Sequence, residues 1–384
     1  IISIYTLILM KLTKDSEKII NYVKSIPNID NVPILENNVI FTHILQKLYN
    51  FHFLTESTQH VIEYNRKQSN QDLYVAYNTK SYVHCYSFIV TAQNGTNCTV
   101  QLFFDTRVEQ SFLASIVKRI IVAIELISAY SKSSMERLDI EIIFTDLKKT
   151  LPKKSTPLDT QHINSAFVTN CSPQKKMLIF RKEEWLKVFI HELLHAFNID
   201  FSCDDQSEND TYLQSLFPLK NDDFRLYETY TELWALLIHC CFAAFYDAKD
   251  KKNIYSIFDI VKLLFSHESL FTRVQFHKIM NHYNLTLSDI TNGSDHYNEK
   301  THVLSYFIFK YFCILNINQF VKLCSSNNTK ISFSLAEKNS KQFIDFIYQS
   351  YMSLLNDDSS ALDFMNKKNR FVSNTLRMSA YEMI

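Results

Sequence analysis

The run Trp185-Leu186-Lys187-Val188-Phe189-Ile190-His191-Glu192-Leu193-Leu194-His195-Ala196-Phe197 restricts this chain more than any other segment. It reads as one apolar helix from about Lys182, yet it carries His191, Glu192 and His195. Residues four apart lie one turn apart on one helix face. The two imidazoles can therefore meet a single cation at the roughly 2.0–2.1 Å that zinc requires. Glu192 lies about 100° round the helix from His191. It cannot easily join the same metal, but it can reach a water held there, which is the general-base position of the His-Glu-x-x-His pattern. Asn198 follows and can stop the helix, because asparagine tolerates the left-handed conformation.

A catalytic zinc takes three protein ligands and leaves a fourth position for water. Asp200 is near, and Phe201 stands where a third histidine six residues after His195 would be needed. A better source is the helical run from about Leu226 to Tyr246. There Glu228 and Glu232 lie one turn apart on one face of an otherwise apolar helix. Two such carboxylates are costly to bury unless they are paired or bind a metal. Thr231 and Ala235 are small and flank that face, so the first helix can approach closely. Either carboxylate can serve as the ligand.

On these residues the chain resembles the gluzincins, the HExxH zinc peptidases whose third ligand is a glutamate on a following helix. The resemblance implies Zn2+ held by His191, His195 and Glu228. Glu232 would be the carboxylate that accepts the free ring N–H of His191. It also implies a zincin-like, two-lobed catalytic domain. The spacer from His195 to Glu228 is longer than in the thermolysin-like members. A second resemblance rests on Arg181–Trp185 through Asp200–Ser202, Leu226–Ala235 and Thr375–Ser379. These blocks are similar to uncharacterised metallopeptidase-like proteins of large DNA viruses.

Elsewhere the hydrophobic period divides the chain. Residues 11 to about 75 read as polar and helical, with loops near Pro27 and Pro33 and apolar helical spacing over Thr42–Phe53. Tyr82–Val90 and Cys98–Phe104 are rich in aromatic and β-branched residues, and Asn94-Gly95 between them is a strong hairpin signal. Phe112–Ser128 repeats apolar residues at three and four. Leu138, Ile140, Ile142 and Phe144 alternate with polar neighbours, as in a half-buried strand. Ser165–Thr169 and Met177–Phe180 are short strands around a turn at Pro173. A polar acidic loop is expected over about 202–223, then helices over 254–267, 270–283, 301–315 and 339–355. The fold class is α+β: a small antiparallel or mixed sheet with a backing helix, followed by a mostly helical lobe. The expected units are a helical region over 1–78, an α+β lobe over 79–200 ending in the HExxH helix, and a helical lobe over 201–384.

Forty basic and forty acidic residues give zero formal charge. That removes the electrostatic reason to expect nucleic acid or an anionic membrane as partner. With only 2 glycines, asparagine is expected to serve most left-handed positions. Eight cysteines form no CxxC pair, and a reduced intracellular protein is the expectation, in host cytoplasm or virion if viral. Ile1–Met10 is expected to be neither a membrane span nor a cleaved leader.

The expected function is hydrolysis of peptide bonds in a protein or peptide substrate. A zinc-activated water would attack, with Glu192 as general base. The alternative is an inactive zinc-binding protein that binds a protein partner. Tyr227 and Tyr230 flank Glu228 and could donate to the oxyanion, or simply pack. His239 is too far along the helix to share the metal and reads as packed. Arg377 could meet a substrate carboxylate or form a surface salt bridge. The acidic residues Asp204, Asp205, Glu208 and Asp210 could favour basic substrates or form a solvated loop. An edge strand, Met177–Phe180 or Ser165–Thr169, would bind extended substrate by strand addition.

Overall fold

The Asn-Gly turn builds the centre of the sheet. In a computed structural model of the protein, which describes residues 11–26, 32–36, 39–57, 61–67, 81–131, 135–169, 171–220, 224–326, 340–356 and 369–383, Gly95 takes φ +86°. Its amide donates to the Ala92 carbonyl at 2.8 Å, and the Ala92 amide donates to the Thr96 carbonyl at 2.9 Å. The turn closes β2 (His84–Thr91) on β3 (Asn97–Phe104) in an antiparallel register from His84↔Phe104 to Thr91↔Asn97. β1 (Glu63–Arg66) pairs antiparallel with β2 at one edge. A crossover through α3 (Gln110–Ser128) then sets β4 (Arg137–Ile143) parallel to β3, as a crossover helix permits and a hairpin does not. β6 (Gln174–Ile179) lies parallel to β4, and β5 (Ala166–Val168) lies antiparallel to β6 at the other edge. The sheet order is β1-β2-β3-β4-β6-β5. The protein is α+β, with one six-stranded mixed sheet and a helical region.

Several expectations are corrected here. Residues 63–66 were expected to be helical, but they form an edge strand exposed at every position. Such a strand shows no alternation to read. Met177–Ile179 is not an edge, because β6 runs between β4 and β5; only the 166–168 strand is. The expected acidic loop contains a helix, α6 (Ser207–Leu216), which buries only Leu213 and so has almost no apolar stripe. The two helices expected over 254–283 are one, α8 (Ile254–His282). Residues 304–309 form a π-helical turn leading into α10 (Lys310–Leu315), and a further helix, α11 (Ile317–Ser326), follows. Pro27 and Ile1–Met10 lie outside the described residues.

The HExxH segment is α5 (Trp185–Ala196), and the Glu228 segment is α7 (Leu226–Asp247). The two helices pack against each other. From Thr229 to Phe245 every α7 residue is buried, which is why its sequence is apolar all round rather than on one stripe. α1 (Lys14–Lys24) and α2 (Val39–Ser57) join the same core, which extends from Ile19 to Met383.

Left-handed positions are served differently from the expectation. Six non-glycine residues among those described take positive φ, and only Asn198 and Asn284 are asparagines. Two of the others, Glu184 and Arg225, open α5 and α7. The cysteines are not all reduced. Cys171, in the β5–β6 turn, is disulfide-bonded to Cys203, beyond the end of α5, while the other six are free and buried. No single helix among the described residues is long and apolar enough to cross a membrane; one pair, Leu304–Leu315 with Ile317–Ser325, reaches that apolarity only across a 90° bend.

Candidate metal centre

Helical spacing brings His191 and His195 to one face of α5, and α7 supplies Glu228 opposite them. The Nε2 atoms of His191 and His195 are 3.0 Å apart. Glu228 Oε2 lies 3.1 Å from the first and 3.3 Å from the second. Three atoms on such a triangle share a point about 2.0–2.1 Å from each, with angles of roughly 94–107° there, close to tetrahedral with one corner open. All three residues are buried. His191, His195 and Glu228 thus form a cluster that could hold a metal ion.

A carboxylate lies on the far side of each ring, and the one at His195 fixes its tautomer. Asp200 Oδ2 meets His195 Nδ1, and Ser202 Oγ donates to the other Asp200 oxygen at 3.0 Å. Glu232 Oε2 lies 3.2 Å from His191 Nδ1. A proton on His195 Nδ1 satisfies Asp200 and leaves the Nε2 lone pair aimed at the carboxylate of Glu228, whereas Glu232 is near His191 Nδ1 without being aligned for a hydrogen bond. Three acceptors facing one point repel unless a cation or protons lie between them. The electrostatics of the ion-free site say the same. Burial opposes a charged His195, but Asp200 and Glu228 outweigh it and hold its pKa well above the usual value. Burial likewise opposes ionised Glu228, but the two imidazoles hold it well below the carboxylate range.

The α5 helix is positioned at both ends. Asn198, at φ +52°, ends it as expected, with its amide on the His195 carbonyl at 3.1 Å. Lys175 Nζ from β6 donates to the Ala196 carbonyl and to Asn198 Oδ1, each at 2.7 Å, placing a cation at the negative end of the helix.

Glu192 is buried beside the cluster and lines the same small cavity as His191, with Ser165, Ala166, Tyr306 and Met378. The cavity measures about 30 Å³, room for about two or three waters at about 10–15 Å³ each. Burial pushes the Glu192 carboxyl up, against the pull of the two histidines. Tyr306, on the π-helical turn, donates its hydroxyl to Glu228 Oε2 at 3.1 Å. Burial and the Glu228 charge push its pKa well above the usual value, so it stays a donor. A second cavity, about 510 Å³, includes Ala166 and Phe167 of β5 in its wall and shares Asn164 and Ala166 with the first. Phe167, Phe180, Leu147, Lys148 and Arg181 line it.

Glu232 lies behind His191 without the implied hydrogen bond to its ring, and it is ion-paired with Lys187 and with Lys310 at 2.8 Å. Of the two flanking tyrosines, Tyr230 is in the aromatic core with Phe201, Phe320 and Phe343, and Tyr227 meets His195 edge-on. A hydroxyl that reaches Glu228 belongs to Tyr306, far away in sequence and carrying no motif. Asp200, one residue before the position of a third histidine, meets His195 Nδ1 instead. His239 is packed, and burial lowers its pKa to about 3. Arg377 is neither at the cleft nor at the surface: it is fully buried, bonded to Ser16, Glu382 and the Ser379 carbonyl. No protein family, curated protein or solved structure matches this chain.

Proposed function

We propose that the protein is a zinc metallopeptidase of gluzincin type, and the observation that carries this is the ligand triangle with Glu192 on the cavity beside it. Zinc, when bound there, would supply Lewis-acid chemistry, a water with its pKa lowered towards about 7 and a polarised carbonyl. His191, His195 and Glu228 would hold the ion, with Asp200 bonded to the His195 ring and Glu232 beside the His191 ring. Glu192 takes the proton of the attacking water and hands it to the leaving amine. The Tyr306 hydroxyl, freed from Glu228, donates to the oxyanion. The outer edge of β5 offers backbone groups to an extended peptide, and the larger cavity beside it receives a side chain of that peptide.

Glu192→Gln tests the reading. The amide keeps size and shape but cannot accept the proton, and no ligand is touched. At equal zinc content, hydrolysis across a broad peptide library should fall by about 10²–10⁴-fold. A wild type that cuts nothing would sink the peptidase assignment. Equal cutting by both proteins would remove Glu192 from the mechanism.

A further inference from the structure

The C-terminal segment from Thr375 to Met383 runs buried through the protein; Leu376, Arg377, Ser379 and Ala380 have no exposed surface. Buried backbone must find hydrogen-bond partners inside the protein. Here they are mostly side chains. The amides of Met378 and Ser379 donate to Glu184, at the start of α5. Those of Ala380 and Tyr381 donate to Glu268 on α8. Lys278 and Gln275 donate to the Thr375 carbonyl. Lys310 Nζ, at the start of α10, donates to the Met378 carbonyl at 2.8 Å.

Lys310 also connects this segment to the metal centre. Its ammonium reaches Glu232 Oε1 at 2.8 Å, while Glu232 Oε2 lies 3.2 Å from His191 Nδ1. A buried carboxylate keeps one orientation only if its partners are fixed. Lys187, its other cation, stands on α5 itself, one turn before His191, and so brings no anchor from outside the helix. The Met378 carbonyl is such an anchor. The segment is not a lid, because its release would strip buried Glu268 of the donors that satisfy it, Ser379 Oγ and the amides of Ala380 and Tyr381.

We infer that Lys310 is a positioning residue for the metal centre, holding Glu232 against His191 from the Met378 carbonyl, so that the C-terminal segment is a working part of the site. This rests on the zinc reading above. The test uses the full chain, with zinc affinity measured by chelator competition and ligand geometry by the visible spectrum of the Co²⁺-loaded protein. Lys310→Met should weaken zinc about 10–100-fold and shift the Co²⁺ bands. Glu232→Gln with Lys310→Met should lose no more than Glu232→Gln alone, because the lysine acts through that carboxylate. Should Lys310→Met fail to fold, Lys310→Gln keeps a donor for Met378 without the charge and should give an intermediate affinity. A folded Lys310 variant with unchanged affinity and spectrum, or losses that add in the double variant, would overturn the inference and leave the zinc centre standing. A wild type that binds no zinc would remove both.

Discussion

Breaking the Cys171–Cys203 disulfide should cost stability by a calculable amount. The bond joins residues 32 apart, and the loop it closes contains β6 and the whole of α5. In the chain-entropy account, a closed loop of this length removes about 3–4 kcal/mol of unfolded-state freedom. Unfolding entropies run near 2.1 cal/mol/K per residue, so over 384 residues that energy corresponds to about 4–5 °C in Tm. The perturbations are a mild reductant and Cys203→Ser, which should give the same shift because they remove the same link. The assay is thermal unfolding of the metal-free protein by circular dichroism, with and without reductant, in wild type and variant. The variant should show no response to reductant. The other six cysteines are buried and free, so native-state alkylation before reduction should label almost nothing. A wild type whose Tm ignores reductant, or in which two thiols alkylate without it, would refute the reasoning.

Three further outcomes are expected. Glu228→Ala should weaken zinc more than Glu232→Ala, because the first removes a bond to the ion and the second only an orientation, about 10–100-fold; chelator competition in the two variants decides, and the reverse order would exchange their roles. Tyr306→Phe should lower kcat by about 10²–10³-fold with little change in zinc content, as loss of an oxyanion donor does; unchanged kcat would leave the hydroxyl a structural bond to Glu228. Burial pushes the pKa of His267 and of His277 down to about 4, so the unfolded chain, with histidine near 6.5, takes protons first as the pH falls. The stability these neutral rings contribute is present above about pH 6.5 and is lost towards pH 4, up to about 3 kcal/mol for each; equal urea midpoints at pH 7 and pH 5 would contradict this.

The sequence determined what depends on short-range periodicity. A helix repeats every 3.6 residues, so His191 with His195, and Glu228 with Glu232, could be placed on common faces before any contact was known. The Asn94-Gly95 turn and the alternation from Leu138 to Phe144 located strands for the same reason, since each signal is complete within a few residues. The end of α5 at Asn198 was legible because its conformation is a property of one residue. The exposed strand Glu63–Arg66 and the helix Ser207–Leu216 were not legible, as neither buries enough to leave a pattern.

Only the tertiary structure decided the partners. Which of two equivalent carboxylates faces both Nε2 atoms depends on how α7 is rotated against α5, and the i,i+4 pair carries no trace of that rotation. Tyr306 enters the site from a π-helical turn 78 residues after Glu228, Lys310 reaches Glu232 from an equal distance along the chain, and Cys171 finds Cys203 across 32. Contacts over such separations are fixed by the packing of the whole core, where close packing leaves each side chain one place to go. Arg377 shows the consequence most plainly. Its sequence suggested a cleft or a surface, and burial among Ser16, Ser379 and Glu382 made it part of the interior.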